Sequence, residues 1–278
     1  MAEPVGVGLI GCGAIGTSVV EAFTRGEVPG ARLRAVYDRD RKRAEAVASL
    51  LQPPVTVAPD VTTLLQTEGL HLVVEAASQQ AVHEYGAHVL GAGCDLLILS
   101  VGALLEPPGS QLPELAAQSG RRLYIPSGGV VGIDGLKAAA YRGEVETVIL
   151  TTRKHPSVLA PEALMERLHL HPSDIREPML VYEGPACEAV RHFPANINVA
   201  ATLSLAGIGP ERTLVRIIAD PRLTINVHEI YVRGSFGEIS ITVSNHTHPQ
   251  NPRTSLLAVL SVLATLREIC HAGIHLGT

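Results

Sequence analysis

The sequence predicts an α/β chain in two parts: an N-terminal doubly wound parallel sheet, then an α+β part built on an open, largely antiparallel sheet. Three observations carry that prediction. The apolar run Val5-Gly6-Val7-Gly8-Leu9-Ile10 breaks into three glycines, Gly11, Gly13 and Gly16, and a helical pattern follows at once. Short, continuous apolar runs then alternate with helical stretches as far as Pro126, as strands covered on both faces do. From Ile133 onward strand patterns follow one another instead, two of them joined by the hairpin signal Gly234-Ser235-Phe236-Gly237.

Taken in order, residues 5–10 read as a buried strand and 17–25 as a helix with Val19, Val20 and Phe23 on one side. Residues 32–37 read as a second strand ending in Asp38. Strand, glycine turn, helix, strand and acid in this order form a Rossmann-type dinucleotide-binding unit. Gly11 allows the tight turn, Gly13 lets backbone approach a pyrophosphate, and Gly16 lets helix and strand pack closely. The pyrophosphate belongs at the helix N-terminus, opened by Ala14 and Ile15, where unpaired N–H groups and the helix dipole favour an anion. Asp38 is placed to accept from ribose hydroxyls, which favours NAD. The basic run Arg39-Asp40-Arg41-Lys42-Arg43 behind it reads either as a cradle for the extra phosphate of NADP or as a solvated helix face, so the expected cofactor is NAD or NADP.

A short strand at 55–57, a short helix at 61–65 and an apolar strand at 70–77 come next. Helices at 78–91 and 112–119 then alternate with strands at 95–101 and 122–126. Ligands of such sheets bind at the carboxyl ends of the strands. That rule brings Ala77, the Ser100-Val101-Gly102 loop and Gly129 toward the cofactor, although each also reads as an ordinary connecting loop.

Beyond Ile133, Asp134 reads as the N-cap of a helix over 136–141, and 146–152 as a strand of alternating character. A Pro- and His-rich loop follows, then helices at 186–192 and from 196, and strands at 214–219, 226–233 and 238–244. Residues 254–271 carry helical Leu, Val and Ile periodicity. The expected division is 1–132 for the dinucleotide domain and 133–250 for an α+β substrate domain, with 251–278 packing back on the first.

Composition narrows the partners. At 46% hydrophobic residues and a positive mean hydropathy of +0.23, the 278-residue chain has ample material for a buried core. A net charge of -5 offers no broad basic surface for nucleic acid or an anionic membrane. No apolar run is long enough to span a bilayer, and no basic leader precedes the first strand, so a cytoplasmic location is expected. Four widely spaced cysteines, Cys12, Cys94, Cys187 and Cys270, suit a reducing compartment and form neither a disulfide framework nor a zinc motif.

A nicotinamide cofactor carries its own hydride chemistry and leaves the protein to supply binding, orientation and acid–base help. Histidine suits the last task, and twelve are present. The pairs His169-Leu170-His171 and His246-Thr247-His248 lack a third ligand at a convincing spacing, so no metal is expected. His228 stands at the start of a strand with Asn226 two residues before it on the same face. Spacing alone favours a satisfied structural histidine there. Anionic substrate groups need cationic partners, and Arg153, Lys154 and Arg253 are the candidates, each of which also reads as a surface charge.

Several blocks follow in order: Gly11-Cys12-Gly13-Ala14-Ile15-Gly16, Ser127-Gly128-Gly129-Val130-Val131-Gly132-Ile133-Asp134 and Asn196-Ile197-Asn198-Val199-Ala200-Ala201-Thr202-Leu203. Ala219-Asp220-Pro221, Asn226-Val227-His228-Glu229 and Asn251-Pro252-Arg253-Thr254-Ser255 complete the series, which spans nearly the whole chain. Together they resemble the L-aspartate dehydrogenase family. The resemblance implies oxidative deamination of L-aspartate to iminoaspartate with NAD or NADP, and then oxaloacetate plus ammonia or entry into NAD biosynthesis. It implies that His228 is the catalytic histidine and that Asn198 and Gly129, where relatives often carry Ala, contact the cofactor. It also implies a homodimer. Asn226 is the neighbour expected to orient His228 and to reach substrate. Two other readings stay open: a reductase of the same plan, dihydrodipicolinate-reductase-like or homoserine-dehydrogenase-like, and a non-catalytic NAD(H)-sensing protein. The second has no spare length or basic helix-turn-helix stretch to support it.

Overall fold

The structure, a computed structural model, describes residues 3–159, 169–194 and 197–270, the side chains of Pro252 and Arg253 excepted. The chain divides into two compact units. One runs to Pro126 and takes in the chain again from Val259, and the other covers Ser127–Ala258.

In the first unit the strands are β1 (Val5–Ile10), β2 (Ala31–Tyr37), β3 (Thr56–Val57), β4 (Leu72–Glu75), β5 (Asp95–Ile98) and β6 (Leu123–Tyr124). They form one sheet in the order β3-β2-β1-β4-β5-β6, parallel throughout. Between them lie α1 (Ala14–Thr24), α2 (Arg41–Ala48), α3 (Val61–Leu65), α4 (Gln79–Gly91) and α5 (Leu112–Gln118). This is the doubly wound arrangement expected, and its order reverses between β1 and β4, the switch point where such sheets bind ligands. The cause is visible in the strands themselves: every residue of β4 is buried, which only a sheet covered on both faces allows. Val7, Leu9, Val19, Val20, Leu33, Val36, Leu72, Val74 and Leu97 share one core, to which the last helix adds Val262 and Leu266. The strands are shorter than their apolar runs suggested, because Leu70, His71, Ala76 and Ala77 lie in the flanking turns.

The second unit holds a five-stranded mixed sheet in the order β11-β10-β7-β9-β8. Its strands are β7 (Val145–Lys154), β8 (Met179–Pro185), β9 (Thr213–Ala219), β10 (Asn226–Gly234) and β11 (Gly237–Asn245). Three pairings are antiparallel and one, β7 with β9, is parallel. The hairpin turn is Ser235-Phe236, where it was expected. β8 was not foreseen; it is an edge strand, paired only with β9, with Leu180 half exposed. Helices α6 (Ile133–Ala140), α7 (Ala186–His192) and α8 (Asn198–Ala206) complete the layer. Asp134 is not the N-cap of α6. Gly132 takes that position in the left-handed conformation, and Asp134 lies in the first turn, where a carboxylate still favours the helix dipole.

A small ladder, β12 (Thr247–His248) with β13 (Asn251–Ser255), precedes α9 (Leu256–Cys270). Thr254 and Ser255 therefore end a strand, and the helix begins two residues later than its periodicity suggested. His271 and the residues after it lie outside the described residues.

Candidate active site

The nucleotide groove is built from β1, α1 and the end of β2. Gly11 adopts a φ of 98°, and a Cβ there would lie 2.6 Å from the Ala76 backbone. At Gly16 a Cβ would meet the Gly11 carbonyl oxygen at 2.0 Å, so both positions exclude any larger residue. At Gly13 a Cβ would meet nothing within 4 Å; this is the open side of the turn, where a ligand's phosphates can approach backbone. Gly13 is also the N-cap of α1 and no side chain caps it, so the first-turn N–H groups of Ala14, Ile15 and Gly16 are left for an anion.

Asp38 fixes the groove's far wall. Its Oδ2 accepts from the Cys12 backbone N–H at 2.7 Å and its Oδ1 from the Asp40 N–H at 2.8 Å. Each carboxylate oxygen retains a further acceptor site for a ribose hydroxyl. Arg39, Ala77 and Tyr85 line the same groove. Ala77 is held from below by a residue the sequence reading passed over. Glu75, buried at the end of β4, accepts from the Ala77 N–H at 2.8 Å, the Leu99 N–H at 3.2 Å and the Ser100 N–H at 3.0 Å. It also accepts from the Ser100 hydroxyl at 2.8 Å. Burial pushes its pKa up while these four donors pull it down. The carboxylate ties the ends of β4 and β5 together beneath the groove, and the only signal for it was one acid inside an apolar strand.

The second unit gathers a different set of groups. Alternation along β7 and β10 sends Thr152, Lys154, Asn226 and His228 to the covered face of the mixed sheet, where all four are buried. His228 sits directly across from Thr152 in the ladder, and its Nδ1 lies 3.0 Å from Thr152 Oγ1. Across the other ladder Asn226 faces Asn245. The orienting neighbour of His228 is therefore Thr152 and not Asn226, whose Nδ2 is buried without a hydrogen-bond partner. Burial, and then the charge of Lys154, push the His228 imidazole down to about 3. Burial likewise lowers Lys154 to about 8. His228 is thus a neutral base at physiological pH, beside an ammonium that gives up its proton readily.

The remaining predicted residues fall as follows. Gly129 adjoins the patch: a Cβ on it would lie 3.6 Å from His228 Nε2. Asn198 opens α8, half-buried, and its carbonyl accepts from Thr202 Oγ1. Arg153 is not brought to the patch. Alternation turns it to the opposite face, where its Nε meets Glu229 Oε2 at 2.9 Å. Arg253 belongs to β13, and its side chain lies outside the described residues. Thr152, Asn245 and Ser255 were not singled out. Among the described residues no three His, Cys, Asp or Glu side chains are gathered as metal ligands would be, and no helix is long and apolar enough to cross a membrane.

Two family models match the chain. Residues 134–269 match "Aspartate dehydrogenase, C-terminal", and residues 11–126 match "Homoserine dehydrogenase, NAD binding domain". The chain is 44% identical to an L-aspartate dehydrogenase of Methanosarcina barkeri over 98% of this chain and 99% of that one. It is 45% identical to the L-aspartate dehydrogenase of Methanosarcina acetivorans over the same shares. Among solved structures, the aspartate dehydrogenase of Thermotoga maritima superposes with a TM-score of 0.74 at 28% identity, over 98% of this chain and 99% of that one.

Proposed function

The chain belongs to the L-aspartate dehydrogenase family, and from that premise we propose that it oxidises L-aspartate reversibly to iminoaspartate with NAD or NADP. The imine hydrolyses to oxaloacetate and ammonia or is drawn into NAD biosynthesis. The observation that carries this reading is the buried base His228, tied at Nδ1 to Thr152 and set beside Lys154.

The residues of the groove fit the cofactor, with an open glycine face, uncapped N–H groups and a fixed acid for the ribose. When bound, NAD(P)+ accepts the hydride that leaves the substrate Cα. The rest falls to the chain. The substrate amine must be neutral before the C–H bond can give up hydride, so a base must take its proton. In the tautomer that donates Nδ1–H to Thr152 Oγ1, His228 Nε2 carries a free lone pair and meets that need. Burial keeps the ring neutral in the resting protein. The Lys154 ammonium and the unpartnered Nδ2 of Asn226 lie on the same buried face and are suited to hold a substrate carboxylate, the first by charge and the second by a donor otherwise wasted. Asp38 supports NAD, and Arg39 and Arg43, which border the same groove, supply cations for a 2′-phosphate.

The test is oxidation of NADH by the purified protein with oxaloacetate and ammonium, repeated with NADPH. Turnover that requires both oxaloacetate and ammonium supports the reading. Reduced cofactor that binds but is not consumed with that pair overturns it and favours a nucleotide sensor. The homoserine-type match is confined to the nucleotide-binding residues and says nothing of the substrate.

We also infer a homodimer. The face of the mixed sheet opposite His228 leaves Ile149, Thr151, Tyr231, Ser240 and Thr242 around a shallow depression, beside Arg216 and Glu229. Light scattering that returns a monomer at micromolar concentration rejects it. A cytoplasmic location, supported by four unpaired cysteines, is checked by cell fractionation.

A further inference from the structure

Glu75 is a charge placed where strand pairing has no need of one. It ends β4, 2% exposed, and the ladder from Leu72 to Glu75 already joins that strand to β5. Its carboxylate reaches past the ladder into the two turns that follow the strands. Oε1 accepts from the Ala77 N–H and the Ser100 hydroxyl, both at 2.8 Å. Oε2 accepts from the N–H groups of Leu99 at 3.2 Å and Ser100 at 3.0 Å. A carboxylate offers about four acceptor sites, and here all four are taken. None is left for a proton, so the group is held ionised although burial favours the acid. An amide of the same shape would turn its own N–H groups toward two of these donors. The arrangement therefore calls for Glu and not merely for a polar residue of its size.

The turn after β4 is a wall of the nucleotide groove, which Ala76, Ala77 and Ser78 line together with Asp38 and Arg39. It packs on the glycine turn after β1: Ala76 donates its N–H to the Ile10 carbonyl at 2.8 Å, and its backbone leaves no room for a Cβ on Gly11. Ser78 then caps α4 by accepting from the Ala81 N–H. The middle of the turn is fixed through the Ala77 N–H, and Glu75 is what it binds. Neither Glu75 nor Ser100 lines the groove itself.

We propose that Glu75 is a positioning residue for the cofactor: its carboxylate ties the turns after β4 and β5 to one point and so sets the groove wall where NAD(P) requires it. The proposal rests on the reading of the groove as the dinucleotide site and adds a residue that never touches the cofactor. With the turn loosened, part of the binding free energy goes into ordering it, so cofactor affinity falls. His228 and Lys154 belong to the other unit and keep their own contacts.

The test is NADH affinity of the full-length protein by fluorescence titration, with steady-state reductive amination beside it. Glu75→Gln should raise the NADH Kd roughly tenfold, about the effect of one hydrogen bond to a charged group. Ser100→Ala removes one donor and leaves the carboxylate, and it should raise the Kd about threefold. In both variants kcat at saturating NADH and KM for oxaloacetate should stay within twofold of wild type. Partial loss of folded protein gives the opposite split, lowering kcat and leaving Kd alone. An NADH Kd within twofold of wild type in both variants overturns the proposal, and so does a fall in kcat with Kd unchanged. If Glu75→Gln fails to fold, the Ser100→Ala result decides alone. Wild-type protein that binds no NADH removes the reading of the groove itself, an outcome distinct from either variant result.

Discussion

Replacing His228 by Ala is expected to lower kcat for aspartate oxidation by about 10²–10⁴-fold, the usual contribution of a positioned general base. NADH affinity should stay near that of wild type, because the groove residues Gly11, Gly13 and Asp38 are untouched. The expectation rests on an arrangement that serves no evident packing purpose. A histidine 2% exposed, with one nitrogen bound to a threonine hydroxyl, is a costly way to fill a sheet face. Its pH behaviour gives an independent reading. Burial holds His228 at about 3, well below the ordinary histidine value of 6.5, so the kcat profile should show no acid limb near pH 6.5 from loss of the base. Stability should move the other way. An unfolded chain takes a proton on this residue near pH 6.5 and the folded chain only near pH 3, so the group's contribution is complete above pH 6.5 and fades as pH falls through that window. The His228→Ala protein should therefore lose less stability between pH 6.5 and 4 in chemical denaturation. Near-normal kcat in that variant would sink the assignment.

How much of this was legible in the sequence depended on how far apart the interacting residues lie. The parallel sheet was readable because its signals are local. Gly11, Gly13, Gly16 and Asp38 fall within 28 consecutive residues, and each of β4 and β5 announces itself by a short run of mostly apolar residues. The β10–β11 hairpin was readable for the same reason. β8 was not, because Pro178 and Pro185 bracket a short run whose only partner, β9, is distant in sequence. The buried patch was half visible. Lys154, Asn226 and His228 were named for their chemistry, but their partners are set by strand register. Thr152 is 76 residues from His228, and Gly129 is 116 from Asn245. Arg153 and Lys154 show the same limit at closest range. Adjacent in sequence and both basic, they were equal candidates until alternation in β7 sent one to an ion pair and the other inward.

That division between neighbours supplies the second large expected effect. Lys154→Met should reduce kcat/KM for aspartate roughly 100-fold, since a hydrogen bond from a charged donor to a carboxylate contributes about 3 kcal/mol and each decade corresponds to about 1.4 kcal/mol. The loss should fall mainly on KM, because Lys154 is placed to hold substrate in ground and transition states alike. Arg153→Met, which removes only the part-exposed pair with Glu229, should change KM less than threefold. The pH dependence follows from burial, which lowers Lys154 to about 8 and makes its ammonium the form lost as pH rises through that value. The wild-type KM for oxaloacetate should thus stay flat below pH 8 and climb above it, by up to tenfold per pH unit, whereas the Lys154→Met protein should show no such climb. Stability again gives the opposite sign. With its folded pKa depressed, Lys154 contributes fully only above its unfolded value of 10.5 and loses that contribution as pH falls toward 8, so at pH 7 the buried ammonium is a net cost. A methionine of similar length removes that cost, and the variant should melt no lower than wild type while binding substrate far more weakly. If KM for aspartate is unchanged in Lys154→Met, the carboxylate partner lies elsewhere; if KM rises and Tm falls together, the lysine holds up the fold as well as the substrate.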